Sequence, residues 1–188
     1  MQLRSGLVFV AIGTIILAAT PAQFRLSRDH VGKLGLGMPG SEVYKLFPGA
    51  RTRKVDLQLE GNQTPAVEIY LSPHNDDPAL VVRLDPSTRR TDVIEVHDSR
   101  FCDETGIHIG STFGELRKAH SKLDLAVGEG QYWIAPKNTG LSFHLGLDQS
   151  TEAALKSSDG TQMADVLSRI PDRTPILSIL VYRESYGR

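Results

Sequence analysis

The sequence has one cysteine, almost no excess of either charge, and none of the short strings that mark common catalytic or metal sites. Cys102 has no second cysteine to pair with, so an internal disulfide is excluded and stability must come from an apolar core. Lysine and arginine number 21 against 22 aspartates and glutamates, a formal net charge of −1. That balance gives no electrostatic reason to expect nucleic acid or an anionic membrane as partner. HxH, HExxH and paired cysteines are missing, so metal-ligand spacing is absent, and with it any expected metal or other cofactor. Gly-x-Ser-x-Gly and Ser-x-x-Lys are missing too, so the hydrolase signatures give no reason to expect an enzyme.

Long apolar runs are also lacking. The longest uncharged, mostly apolar stretch is Gly6 to Ala19, short of the roughly 18 apolar residues that a spanning helix needs. It follows Arg4 and precedes Thr20-Pro21-Ala22, small residues of the kind a signal peptidase reads. Residues 1–22 are therefore expected to be a signal peptide, and the mature chain periplasmic or secreted with no membrane span. The alternative is an uncleaved segment that anchors the protein to the inner membrane. No cysteine lies near the cleavage point, which argues against lipidation.

What the chain does contain is a repeat. Leu34-Gly35-Leu36-Gly37-Met38-Pro39-Gly40-Ser41-Glu42-Val43-Tyr44-Lys45-Leu46 lines up with Ile107 to Ala119 at a constant offset of 73. Gly37 then matches Gly110, Glu42 matches Glu115, and Lys45 matches Lys118. Such a repeat implies that each copy is one structural unit. Behind the first copy, period-2 alternation predicts strands at Val55–Glu60, Val67–Leu71, Leu80–Leu84 and Val93–His97. Behind the second, strands are expected at Gln131–Ile134, Gly140–Leu145 and Ile176–Tyr182. Thr112-x-x-Glu115 reads as a capping box, and Pro39 at the matching place suits a first helical turn.

The expected fold is therefore α+β, two tandem helix-plus-antiparallel-meander units. Residues 23–98 form the first unit, 99–106 a linker, and 107–188 the second. Between its last strands the second unit carries an excursion over residues 148–174. There Met163, Val166, Leu167 and Ile170 stand at helical spacing behind Thr161, which predicts an extra amphipathic helix.

Gly37-Met38-x-x-x-Glu42-Val43-x-x-Leu46-Phe47 resembles the helix-start motif of the β-lactamase-inhibitor-protein-like superfamily. That superfamily includes small lipoproteins of the outer-membrane barrel-assembly machinery. Gly106-Ile107-His108-Ile109-Gly110-Ser111-Thr112-x-x-Glu115-Leu116 is similar to a phrase common in exported bacterial proteins. The resemblance implies helix-plus-sheet half-domains in tandem, with the sheet as a protein-binding surface. The lipid-bearing cysteine of the assembly lipoproteins and the paired cysteines of the inhibitors are both absent here.

Gly35-x-Gly37-x-x-Gly40 satisfies a dinucleotide-binding string, with Asp56 about 20 residues on. The second copy keeps only Gly110 and has His108 and Phe113 at the other two places. What recurs is thus a structural turn at a helix start. Cys102, between the copies, reads as a partly buried linker thiol.

The outward positions of the strands form the candidate binding set: Asp56, Gln58, Glu60, Glu68, Tyr70, Arg83, Glu95, His97, Ser142 and His144. Mixed charge with an aromatic suits a protein-binding face. The function expected is a non-enzymatic, exported binding or scaffold module whose partner is a protein of the cell envelope. The alternatives are a proteinaceous inhibitor of a periplasmic or secreted enzyme, and a small-molecule or metal-binding protein using the outward histidines, His108 among them.

Overall fold

The structure is a computed structural model that describes residues 21–59, 61–128, 131–156 and 163–183. Residues 1–20 of the expected signal peptide, Glu60 and Thr161 lie outside the described residues. Among the described residues, no helix is long and apolar enough to cross a membrane.

Two short antiparallel pairings open the fold. β1 (Leu26–Ser27), β2 (His30–Val31) and β3 (Leu34–Gly35) form a small three-stranded sheet that alternation did not reveal, because two residues are too few to show a period. α1 (Gly40–Val43) follows, continued by a 3-10 turn over Tyr44–Leu46. Pro39 stands just before the first helical residue rather than inside the first turn. Then come β4 (Arg51–Leu59), β5 (Asn62–Tyr70), β6 (Leu80–Leu84) and β7 (Thr91–Val96). α2 (Phe113–Ala119), β8 (Leu123–Gly128), β9 (Gln131–Pro136) and β10 (Leu141–Leu145) follow, then α3 (Gln149–Lys156), α4 (Met163–Ser168) and β11 (Ile176–Tyr182). β8 and α3 were not expected from the sequence. The expected helix of the excursion is α4.

β4 to β11 form one antiparallel eight-stranded sheet in the order β4-β5-β6-β7-β11-β10-β9-β8. Two consecutive meanders thus meet through their last strands, where Val96 faces Ile179 and Ile94 faces Val181. The protein is α+β, mostly antiparallel sheet with a few short helices.

α2 shows why its helix begins where it does. The Thr112 hydroxyl accepts from the Glu115 N–H at 3.3 Å, and a Glu115 carboxylate oxygen accepts from the Thr112 N–H at 2.7 Å. This reciprocal cap satisfies two otherwise orphaned donors and contributes about 1 kcal/mol. The Thr112 backbone N–H, followed by the hydroxyl, holds the Glu115 carboxyl below its ordinary value.

One face of the sheet carries the core. Val67, Ile69, Leu80, Val82, Ile94, Val96, Ile134, Phe143, Ile179 and Val181 are buried there, and each buried apolar side chain of the described helices joins the same cluster. Those helical side chains are Val43, Phe113, Leu116, Leu155 and Val166. Phe113 and Phe143 are among the largest fully enclosed side chains.

Backbone bonds at the helix starts recur between the two halves. The Gly37 N–H donates to Thr91, the first residue of β7, and the Gly110 N–H donates to Ile176, the first of β11. The Thr91 N–H returns to Met38, and the Ile176 N–H to Ser111. The Gly40 N–H donates to Arg89, and the Phe113 N–H to Thr174. Gly37 and Gly110 have φ of +83° and +93°, the left-handed region that glycine occupies without strain. The other two glycines of the dinucleotide-like string are explained by packing. A Cβ on Gly35 would lie 2.8 Å from the His30 ring, and one on Gly40 would lie 2.7 Å from a Leu84 methyl.

Candidate binding face of the sheet

Residues paired directly across neighbouring strands project to the same side of a sheet. The strand register therefore assigns each described candidate residue to a face. Lys54 pairs with Val67, which belongs to the core, so Lys54, Asp56 and Gln58 lie on the helix-bearing side of β4. The opposite face takes Arg53 and Glu68, then Val81, Glu95, Leu180 and Ser142, one unbroken row across β4, β5, β6, β7, β11 and β10. Arg51 with Tyr70, Arg83 with Val93, and His144 with Trp133 and Ser178 flank that row.

The nine candidates among the described residues consequently do not share one face. Asp56 and Gln58 belong to the other side, while Glu68, Tyr70, Arg83, Glu95, His97, Ser142 and His144 stay together. The cause is the phase of β4. Its apolar residues Val55, Leu57 and Leu59 alternate toward the second face, because β6 pairs with β5 only from Ala66 to Ile69. The rest of the β4–β5 hairpin runs beyond the core. Arg51 and Arg53 join the face for the same reason. Trp133 joins as well, and alternation about the buried Ile134 was a signal that could have found it.

Several of these side chains are less accessible than an outward position suggests. Glu68, Tyr70 and Ser142 are buried, and Arg83, Glu95 and His144 are half-buried. Local contacts explain Glu68 and Tyr70. The Arg53 guanidinium donates to a Glu68 carboxylate oxygen at 2.6 Å, and the Tyr70 hydroxyl donates to the same oxygen at 2.6 Å. The Arg51 guanidinium lies 3.9 Å over the Tyr70 ring, a cation–π contact. Hydrogen bonding from Arg53 holds the Glu68 carboxyl below its ordinary value, and the bond to Glu68 pushes the Tyr70 phenol up.

At the centre of the sheet, Glu95 stands 3.3 Å from Arg83 and 3.5 Å from the His97 ring. His144 stacks on Trp133 with ring centroids 4.9 Å apart. Burial depresses the His144 pKa, an effect opposed by the negative charges of Glu95 and Glu152 and reinforced by His97. His97 and His144 thus share a neighbourhood. His108 does not join them: its ring bonds the Ile109 carbonyl beside α2. Among the described residues, no three His, Cys, Asp or Glu side chains are grouped to hold a metal ion. Cys102 is buried between Arg25 and His108, with which it makes isolated bridges.

Trp133 is the single tryptophan, so its stack is directly observable. Lowered pH should charge the imidazole beside the indole. A depressed pKa places that step below the ordinary histidine value of 6.5. Tryptophan emission is expected to change through one titration step below pH 6.5, and His144→Gln should remove it. A step that survives the substitution would refute the stack as its source.

No family model and no curated protein matches the chain. Among solved structures, the uncharacterized protein yfeY from Escherichia coli is similar in fold. The two superpose with a TM-score of 0.60 at 21% identity, covering 85% of this chain and 99% of that one. At that identity the likeness speaks for the α+β fold.

Proposed function

We propose that the chain is a non-enzymatic, exported binding module made of two tandem helix-plus-meander units of the β-lactamase-inhibitor-protein-like type. Residues 23–98 and 107–188 are the units, and residues 99–106 join them. Its partner is a protein of the cell envelope, and it docks on the face of the sheet opposite the helices. The tandem reading is supported by the recurrence of three helix-start hydrogen bonds at the same offsets in both halves.

The observation that carries the binding reading is the content of that face. Arginine, one of the residue types that dominate interface energetics, is exposed there as Arg51 and Arg53, with His97 exposed and Arg83 half-buried on the same face. The buried Tyr70 ring holds the Arg51 guanidinium in place before any partner arrives, so less side-chain freedom is lost on docking.

The test is cross-linked capture from an envelope extract, with the partner then purified and titrated against variants. Arg51→Glu and His97→Ala should each weaken the purified complex at least ~30-fold, the effect of losing a 2 kcal/mol anchor. Lys118→Ala, on α2, should leave it intact. Equal effects from the face and helix variants would refute the assignment. A soluble enzyme as the captured species would favour the inhibitor reading.

A further inference from the structure

On the helix-bearing side, α1, the turn before β7 and the protruding β4–β5 hairpin enclose a cleft of about 760 Å³. Ligand sites fall in the same size range. Val67 and Leu84, both buried core side chains, form its floor, and the half-buried Pro39 and Pro65 add to its apolar surface. Lys54, Arg89, Tyr44, Ser41 and Thr88 supply its polar groups, and Asp56 is the only carboxylate among the described lining residues. Lys54 and Arg89 are 35 positions apart in the sequence and belong to separate basic clusters. The fold brings both to one cavity.

Arg89 is held there by the backbone. The Asp85 carboxylate accepts from the N–H and hydroxyl of both Ser87 and Thr88, which holds its pKa down to about 2. The same turn sets Arg89 at φ +56°, a left-handed conformation uncommon for a residue with a side chain. The Lys54 ammonium lies 5.5 Å from the Tyr44 ring centroid. Desolvation pushes the Tyr44 phenol up from its ordinary value.

The other half of the chain shows the same place filled. Phe113, fully buried, stands where the first half has Gly40, as their matching bonds to Thr174 and Arg89 show. Gly114, which corresponds to Ser41, packs against Asp172 of the excursion, and Arg117 pairs with Asp172 at 2.8 Å. The first half has no excursion; Leu84 stands against Gly40 where the ring would begin, and the cleft opens beyond it beside two cations.

We propose that this cleft binds a small amphipathic organic acid. Its carboxylate sits between Lys54 and Arg89 and its aliphatic chain lies on Val67 and Leu84. Two cations against one carboxylate select an anion, and the buried apolar walls select a chain over a bare ion. This site is separate from the protein-binding face and stands or falls independently of it.

Titration of the purified chain with octanoate, octanol and inorganic phosphate, followed by amide NMR and calorimetry, tests the proposal. Octanoate should saturate and shift the Ser41 and Tyr44 amides, and octanol and phosphate should each bind at least about tenfold more weakly. Lys54→Gln and Arg89→Gly should each weaken octanoate about tenfold, the loss of one charge-assisted contact. Asp56→Asn should tighten it. Glycine suits φ +56°, so Arg89→Gly removes the cation without straining the fold, and an unchanged melting curve verifies this. Non-saturating octanoate, equal binding of octanol or phosphate, or undiminished affinity in both cation variants overturns the proposal.

Discussion

Phe113→Ala should lower stability by about 3–5 kcal/mol, the usual cost of deleting a buried phenylalanine ring. The ring is fully enclosed among the core side chains, with the Arg117 guanidinium 5.8 Å from its centroid. Its neighbours cannot close over the space, because Gly114 is already seated on Asp172 and the Phe113 N–H is bonded to Thr174. The substitution would therefore leave a void in the core. Urea unfolding followed by Trp133 emission should show the midpoint moving down by about 1–2 M with the slope unchanged. A loss under 1 kcal/mol would mean that the excursion, rather than the ring, fills this half.

Asp103→Ala should cost about 3 kcal/mol, with a range of 2–5. One carboxylate oxygen accepts from the Thr105 N–H at 2.8 Å, the Thr105 hydroxyl at 2.7 Å and the Ile107 N–H at 2.9 Å. The other stands 2.9 Å from the His120 ring at the end of α2. The side chain is 2% exposed, so water cannot replace these bonds when the carboxylate is removed. The neighbouring residue adds a tie to the small sheet, since Leu26 N–H donates to the Cys102 carbonyl. Asp103 thus fastens the linker both to itself and to α2. Asp103→Asn keeps an accepting oxygen and should cost less than the alanine change. A double-mutant cycle with His120→Gln should return a coupling energy of 0.5–3 kcal/mol. Additive losses would show that the two side chains act separately.

The candidate face shows how far residue periodicity reaches. Alternation correctly grouped Glu95 with His97 and Ser142 with His144, because neighbouring positions on a strand must point to opposite sides. It could not say which side of β4 faces the core. A one-residue change of phase exchanges every side chain between faces, and only the pairing of Lys54 with Val67 fixes it. Asp56 and Gln58 therefore lie on the core side of the sheet, against the expectation from alternation, and Arg51 and Arg53 take the second face. The setting of Tyr70 is equally illegible, since Arg51 over its ring, and Arg53 on the Glu68 carboxylate that it shares, come from another strand.

The sequence by itself determined the features set by near neighbours along the chain. The Thr112–Glu115 cap, the glycines at φ +83° and +93°, the strand at Ile176–Tyr182 and the equivalence of the two helix starts all depend on a few adjacent residues. Tertiary structure alone decided how the meanders meet. β7 and β11 are about 80 residues apart, and nothing local favours their pairing over another pair of alternating strands. Their union makes one eight-stranded sheet with one core face, which leaves the second face to Glu95, His97 and His144. Pairing within the first meander likewise brings Lys54 and Arg89 to a common cleft: local chemistry shapes the elements, and packing sets which elements become neighbours.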